Sequence, residues 1–289
     1  MVTIEKYILG IDAAWTVKNP SGVALLKWFP NSKPELVRAG RSYDEFCNIG
    51  KADWQNSIGD SKHNPDFLKI IECCHEKVDL VALDMPLSPQ KITGRRKADD
   101  VISREYGNRN VSTHSLSSDR PGDISTNIFK LLTENGFSWA CGHIKTPAFI
   151  EVFPHVAIIE LFDYDQRFPY KVQKRAKYWP KDSCEERSQK IICKLNELRN
   201  KIASVATGIE QFLPQLEPTK YYSIKFLKGY EDLLDAVLCA LVGCNFLDGK
   251  AEPKPPDDQT GVIWVPKKNR TILQTPEPQM LRPLLPAPP

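Results

Sequence analysis

Two apolar runs of strand length, each ending in an aspartate, are the feature that most constrains the fold. The first, residues 7–13 (YILGIDA), reaches Asp12. The second lies within residues 78–86 (VDLVALDMP), reaches Asp84 and stops at Pro86. Such runs are typical of buried strands in α/β sheets, where ligands bind beyond the carboxyl ends of the strands. The sequence therefore predicts an α/β fold with Asp12 and Asp84 at one edge of the sheet.

The other patterns predict that this sheet is mixed and covered by helices on both faces. Residues 21–29 follow a turn signal and predict a hairpin with the first strand, and residues 35–41 predict a third antiparallel strand. Residues 149–162 predict a strand that carries Glu151, breaks at Pro154 and continues as a short helix. A last strand is expected at residues 261–265, and apolar spacing predicts helices at residues 65–76, 94–107, 185–206 and 229–246.

Length and composition predict one soluble domain. With 41% hydrophobic residues, residues 1–270 are expected to form a single domain with insertions, followed by a proline-rich, disordered tail at residues 271–289. The eight cysteines show no paired spacing, which indicates reduced thiols. With no secretory signal and no apolar run of membrane-spanning length, we expect a cytoplasmic protein with no membrane partner. The oligomeric state is left open.

Four acidic residues interrupt apolar elements where burial is expected: Asp12, Asp84, Glu151 and Asp235. A buried carboxylate needs a charged partner or a metal, and converging carboxylates repel one another unless a divalent cation neutralises them. Carboxylate oxygens suit Mg²⁺ or Mn²⁺. We therefore predict a metal site that includes these four residues as the catalytic set and Asp232 as a further ligand. The alternatives are turn or cap residues at the strand ends, a simple ion pair from Asp235 to Lys228 or to a distant arginine, and an edge-strand charge at Glu151.

The helix within residues 229–246 carries both Asp232 and Asp235. Asp235 lies among apolar residues and is predicted to be the direct metal ligand. Asp232 is expected one turn closer to the helix start, where it acts through a bound water or favours the positive end of the helix dipole.

Basic residues point to a nucleic-acid partner, although the net charge of +3 gives little support on its own. Residues 167–181 contain six Lys or Arg residues, no acid, and four aromatic residues. Such a segment is typical of a surface that follows a nucleic-acid strand, with Lys174, Arg175 and Lys177 as phosphate contacts. The alternative is a solvated basic loop whose aromatic rings pack on the core.

Arg95 and Arg96 follow Asp84 closely enough to contact a scissile phosphate. They are predicted to bind substrate, and a structural pairing with Asp99 or Glu105 is the alternative. His114 and His155 are weaker candidates.

Several motifs carry a resemblance to known proteins. GIDAAW, SGVALL, ALDMPL and the helix DLLDAVLCAL resemble the ribonuclease-H-like nuclease superfamily. GRRKADD, EVFPH, EDLLDAVLCALVG and GVIWVP resemble the predicted nucleases of domain-of-unknown-function family 429, over roughly residues 5–266. The resemblance implies a ribonuclease-H-like fold and metal ligands at Asp12, Asp84 and Asp235, with Asp232 as a neighbour and Glu151 in the EVFPH segment. The first strand lacks the D-x-G or D-x-S opening that is commoner in the superfamily.

The function expected from these features is metal-dependent hydrolysis of phosphodiester bonds in DNA or RNA. One alternative is a non-catalytic nucleic-acid-binding module on the same fold. A sugar-kinase or actin-like ATPase is less favoured, because the chain has only 15 glycines and no glycine-rich phosphate turn. P-loop and dinucleotide-binding motifs are absent as well.

Overall fold

A mixed sheet forms the centre of the computed structural model, which describes residues 4–16, 19–55, 67–74, 77–142 and 145–268. In this part of the chain the sheet has eight strands, in the order β3-β2-β1-β4-β6-β8-β7, with β5 also paired to β6. The strands are β1 (Lys6–Asp12), β2 (Gly22–Trp28), β3 (Glu35–Gly40), β4 (Leu80–Leu83), β5 (Ser138–Trp139), β6 (Ala148–Val152), β7 (Ala251–Lys254) and β8 (Ile263–Pro266).

Strand direction divides the sheet into an antiparallel part and a parallel part. The pairs β1/β2 and β2/β3 are antiparallel, as expected from the hairpin signals. The pairs β1/β4, β4/β6, β5/β6 and β6/β8 are parallel, and β7 closes the edge antiparallel to β8. The mixed α/β fold predicted from the sequence is thereby confirmed.

Helices cover both faces of this sheet. They are α1 (Phe67–Glu72), α2 (Lys97–Tyr106), α3 (Asp123–Glu134), α4 (Pro154–Phe162), α5 (Arg175–Tyr178), α6 (Cys184–Val205), α7 (Ile209–Phe212) and α8 (Ile224–Leu247). The core on one face includes α4, α6 and α8, whereas α1 and α3 pack on the other. None of the helices in the described ranges is long and apolar enough to cross a membrane.

Helix α8 lies unusually close to the first hairpin because glycines face it. A Cβ on Gly10 would lie 2.0 Å from the carbonyl oxygen of Ala236, and one on Gly22 would lie 2.2 Å from that of Asp232. Both distances are far below the 3.4–4 Å of ordinary van der Waals contact. The missing side chains therefore allow the helix backbone to rest against β1 and β2.

Some boundaries differ from those expected. Helix α8 begins at Ile224, where the Ser223 hydroxyl accepts a hydrogen bond from the Phe226 amide, rather than near Gly229. Asp232 consequently lies in the third turn, so its predicted place near the helix start was wrong. The sequence patterns also missed α3, β5 and β7. Part of the helix expected at residues 65–76 and the tail at residues 271–289 lie outside the described residues.

Candidate metal centre

The alternation of side chains along β1 directs Asp12 toward α8. Ile8 belongs to the core on the α8 side, and Gly10 touches the helix backbone. Since side chains two residues apart share a face of a strand, Asp12 at the strand end faces the same helix. Asp12 pairs in register with Gly22, which itself touches α8 at Asp232. The first hairpin and the helix thus meet at Asp12.

Three carboxylates converge at this meeting point. Oxygen atoms of Asp12, Asp232 and Asp235 all lie within 4.8 Å of one another. Asp235 is completely buried and Asp232 is 5% exposed, whereas Asp12 is half-buried at the surface of the group. A divalent cation with oxygen ligands at 2.0–2.6 Å fits a group of this size.

Asp84 lies directly beside Asp12. It follows the end of β4, and its amide donates a 2.9 Å hydrogen bond to the carbonyl oxygen of Ile11. Ala82, two residues earlier, belongs to the core on the α8 side, so Asp84 faces that side as well. The structure therefore brings together four of the five predicted metal-binding residues.

Two lysines provide internal partners for the carboxylates. Lys171 contacts Asp235 and lies 3.2 Å from Glu231, while Lys228 contacts Asp232 and lies 2.9 Å from Glu231. Tyr170 donates its hydroxyl hydrogen to the other oxygen of Asp235. The alternative of an ion pair between Asp235 and Lys228 is not what the structure has: Asp235 pairs with Lys171, and Lys228 pairs with Asp232.

Negative charge is in excess even with both lysines present. Asp12, Asp84, Glu231, Asp232 and Asp235 supply five carboxylates against the two ammonium groups. Burial and the neighbouring carboxylates raise the pKa of Asp235 to about 6 and hold the pKa values of Asp84 and Asp232 well above the usual range. The pKa of Glu231 is lowered instead, because Lys171 and Lys228 outweigh its burial. A divalent cation would relieve this repulsion.

Glu151 has a different partner and faces the opposite side of the sheet. Its neighbours Ile150 and Val152 belong to the core on the α8 side, so Glu151 points away from α8. Both of its oxygens accept hydrogen bonds from Arg96, at 2.6 and 2.7 Å, and one also accepts the Leu87 amide at 2.7 Å. Burial nevertheless raises the pKa of Glu151. The structure does not bring Glu151 into the carboxylate group.

Arg96 is committed to structure in the same way. It is 7% exposed, and its side chain donates to Asp99, Glu151 and the carbonyl oxygen of Leu87. All five N–H groups of a guanidinium are occupied by such a set, which leaves no donor for the predicted substrate contact. The structural pairing with Asp99 is the arrangement found. Arg95 is more exposed and pairs with Asp100 at 2.8 Å.

The basic segment, residues 167–181, has a more buried inner part at residues 168–172 and a more exposed outer part at residues 174–181. Phe168 and Tyr170 are buried in the core, as the alternative for the aromatic rings foresaw. Arg175 donates to the carbonyl oxygen of Val172 at 3.0 Å, and Lys177 is exposed. Burial, followed by the nearby cations, lowers the pKa of Lys174 to about 8. The predicted contact of Lys174, Arg175 and Lys177 with nucleic acid stays a prediction.

An open cleft of about 230 Å³ lies over the carboxylates. Asp12 and Asp84 line it together with Lys171 and Lys228, and its other walls include Trp15, His114, Arg120, Phe153 and His155. Burial and the nearby cations hold the pKa of His155 well below its usual value and also lower that of His114. Both imidazoles are therefore neutral near pH 7. The cleft combines an acidic floor with basic and aromatic walls.

Several of these residues gave little signal in the sequence. Lys228 lies three and four residues before Glu231 and Asp232, so helical spacing was sufficient to place it there. Lys171 and Tyr170 lie 64 and 65 residues before Asp235, and no local pattern connects them. No sequence pattern predicted Trp15 or Arg120 as site residues.

Comparison with known proteins gives one match. A family model described as "Protein of unknown function (DUF429)" matches residues 10–260. The match covers the motifs GRRKADD, EVFPH and EDLLDAVLCALVG. No curated protein and no solved structure matches the chain.

Proposed function

Since the chain belongs to the DUF429 family, whose function is unknown, we propose a function from the site itself: a divalent-metal-dependent nuclease that hydrolyses phosphodiester bonds of DNA or RNA. The observation that carries the proposal is the convergence of Asp12, Asp232 and Asp235 within 4.8 Å. Excess negative charge on the floor of an open cleft favours a bound cation, and oxygen ligands favour Mg²⁺ or Mn²⁺.

The proposal includes a ribonuclease-H-like fold. It is supported by an antiparallel β1–β3 meander followed by the parallel strands β4 and β6. It is also supported by the acidic residues at the ends of β1 and β4 and on the helix that packs against them. The predicted resemblance to this superfamily rests on the same elements.

The carboxylates, Lys171, Tyr170 and Arg120 have separate parts in the proposed reaction. A cation bound here would supply an activated water and stabilise charge on the phosphate oxygens. Asp12, Asp232 and Asp235 would hold it, and Asp84 beside them would lose its proton as the positive charge arrives. Lys171 and Tyr170 keep Asp235 in a fixed orientation. Arg120 on the cleft wall would bind a non-bridging phosphate oxygen.

The direct test is incubation of the purified protein with labelled DNA, RNA, hybrid and branched strands in Mn²⁺, with chelator as control. We expect cleavage that requires metal and is lost in Asp12→Asn. The melting temperature of this variant in metal-free buffer should be unchanged or raised, because the substitution removes a repelling charge. A panel without metal-dependent cleavage contradicts the proposal, and a large loss of stability would identify Asp12 as a structural cap.

The pairing of Lys171 and Lys228 with the carboxylates favours a second candidate, a non-catalytic nucleic-acid-binding module. Two ammonium groups neutralise part of the acidic group without metal. Binding of strands without turnover in Mg²⁺ or Mn²⁺ would identify this function. The less favoured sugar-kinase or actin-like ATPase is distinguished by an ATP-hydrolysis assay.

A further inference from the structure

The carboxylates of the candidate metal centre are recessed. Asp235 is completely buried and Asp232 is 5% exposed, so an ion held between them lies below the protein surface. The cleft that leads to them has a volume of only about 230 Å³. A duplex is stiff over about 150 base pairs, whereas a single strand can bend its phosphate toward a recessed centre.

A tryptophan forms part of the wall of this cleft. Trp15 packs on the hydrophobic core and is partly exposed. The His114 ring meets it at 79°, with centroids 5.9 Å apart. The exposed Arg120 lies over the indole, with its guanidinium carbon 5.6 Å from the ring centroid, so a stacking base would take the place of this side chain. All three residues line the same cleft as Asp12 and Asp84. Packing on the core fixes the indole in place, and the cleft exposes part of it.

The distance between Trp15 and the metal centre is within the reach of a few nucleotides. Three residues span at most ~11 Å, so the Trp15 backbone lies within that distance of Asp12. This upper bound is about three nucleotide steps at the ~3.4 Å spacing of a stacked strand. A base near the scissile phosphate can therefore reach the indole.

We propose that the substrate is a single-stranded nucleic acid and that an unpaired base near the scissile phosphate stacks on Trp15. Aromatic rings beside cations are the usual means by which proteins hold unpaired bases, and stacking tolerates any sequence. The inference rests on the proposed nuclease function, because the phosphate is placed by the carboxylates. To the nuclease function, the inference adds that the substrate is single-stranded and that Trp15 selects for single strands.

Equilibrium binding in an Asp12→Asn background tests the proposal without cleavage. In Mg²⁺ we expect a 16-nucleotide single strand to bind at least tenfold more tightly than the same sequence as a duplex. Trp15→Ala should weaken binding to the single strand on the order of tenfold, whereas Trp15→Phe, which keeps a ring, should stay within threefold of the parent. Tyr221→Ala is the matched control, since Tyr221 is 89% exposed and does not line the cleft.

An abasic strand of the same length separates stacking from packing. It retains the phosphates but offers no base, so Trp15→Ala should leave its affinity unchanged. Equal weakening for the abasic and ordinary strands, or a duplex that binds as tightly as the single strand, would overturn the proposal. Thermal unfolding of Trp15→Ala and Trp15→Phe establishes that both variants are folded.

Cleavage by the unaltered protein separates this proposal from the nuclease function. If the base-dependent effect of Trp15→Ala persists but no strand is cleaved in Mn²⁺, the nuclease function fails while single-strand recognition stands. If duplex is cleaved as fast as single strand, the nuclease function stands and single-strand selection fails.

Discussion

The close approach of α8 to the first hairpin predicts that Gly22→Ala damages both stability and metal binding. The added Cβ would lie 2.2 Å from the Asp232 carbonyl oxygen and 2.5 Å from its carbonyl carbon. Restoring a contact of 3.4 Å requires the backbones to separate by roughly 1.2 Å. Backbone on both sides leaves no flexible side chain to move away, so the helix or the strand must shift.

The magnitude follows from this overlap. Forcing one methyl group into a packed interior destabilises by ~1–3 kcal/mol and occasionally more, and a backbone contact belongs at the upper end. We expect a loss of at least ~2 kcal/mol, which lowers the melting temperature by at least ~3 °C for a chain of this size. Because metal sites tolerate displacements of only ~0.5 Å, Mn²⁺ affinity should fall roughly tenfold or more.

Calorimetric unfolding in metal-free buffer and titration with Mn²⁺ measure the two effects separately. Gly107→Ala is the matched control, because a Cβ there meets nothing within 4 Å and its φ of −60° suits alanine. This control should be unchanged or more stable by ~0.4–1 kcal/mol. A Gly22→Ala protein that unfolds and binds Mn²⁺ like the parent would refute the argument that this contact positions Asp232 against Asp12.

Three further predictions concern charged groups. Arg96→Met should destabilise by ~3–5 kcal/mol in urea denaturation, since it leaves both Glu151 and Asp99 buried without a cation, and adding Glu151→Leu should restore part of the loss; equal losses in the single and double variants would contradict this. The pKa of Asp235 is raised from 3.8 to about 6 in the folded state, so the folded state holds this proton more tightly. Its contribution to the free energy of unfolding should therefore fall as pH rises through that interval without metal. Mn²⁺ affinity should rise over the same interval, and Asp235→Asn should reduce the dependence of stability on pH, to which Asp84 and Asp232 also contribute. Replacing Lys174, Arg175 and Lys177 together by Gln should weaken nucleic-acid binding. The dependence of the binding constant on salt concentration should become less steep, by up to about three released counterions, and an unchanged slope would exclude these residues from the interface.

The strand-end aspartates were accessible to sequence reasoning, whereas the side of the sheet faced by Glu151 was not. Asp12 and Asp84 end runs whose length and apolar character mark central strands. Glu151 lies in a strand that is buried on both faces, so the other residues of the strand are all apolar. No alternation of polar and apolar residues in the sequence shows which face of the sheet Glu151 points to. Its direction is decided only by the register of β6 against β4.

The start of α8 was misplaced for a local reason. Gly229 resembles a helix boundary in the sequence, but it lies inside the helix, where it is buried. The true boundary is marked by Ser223, whose hydroxyl caps the Phe226 amide. Five additional residues before Gly229 move Asp232 away from the positive end of the helix dipole. Its position in the site is therefore explained by contact with Asp12 and Lys228 rather than by the dipole.

A polar stripe along α8 explains why the basic segment has its inner part. Lys228, Glu231, Asp232 and Asp235 are three or four residues apart and share one side of a largely buried helix. One lysine in the stripe faces three acids, so a second cation must come from elsewhere in the fold. Lys171 supplies it, and the adjacent Val172 amide donates to Glu231 at 2.6 Å. The inner part of the segment thus completes the acidic group, and only its outer residues remain available to a strand.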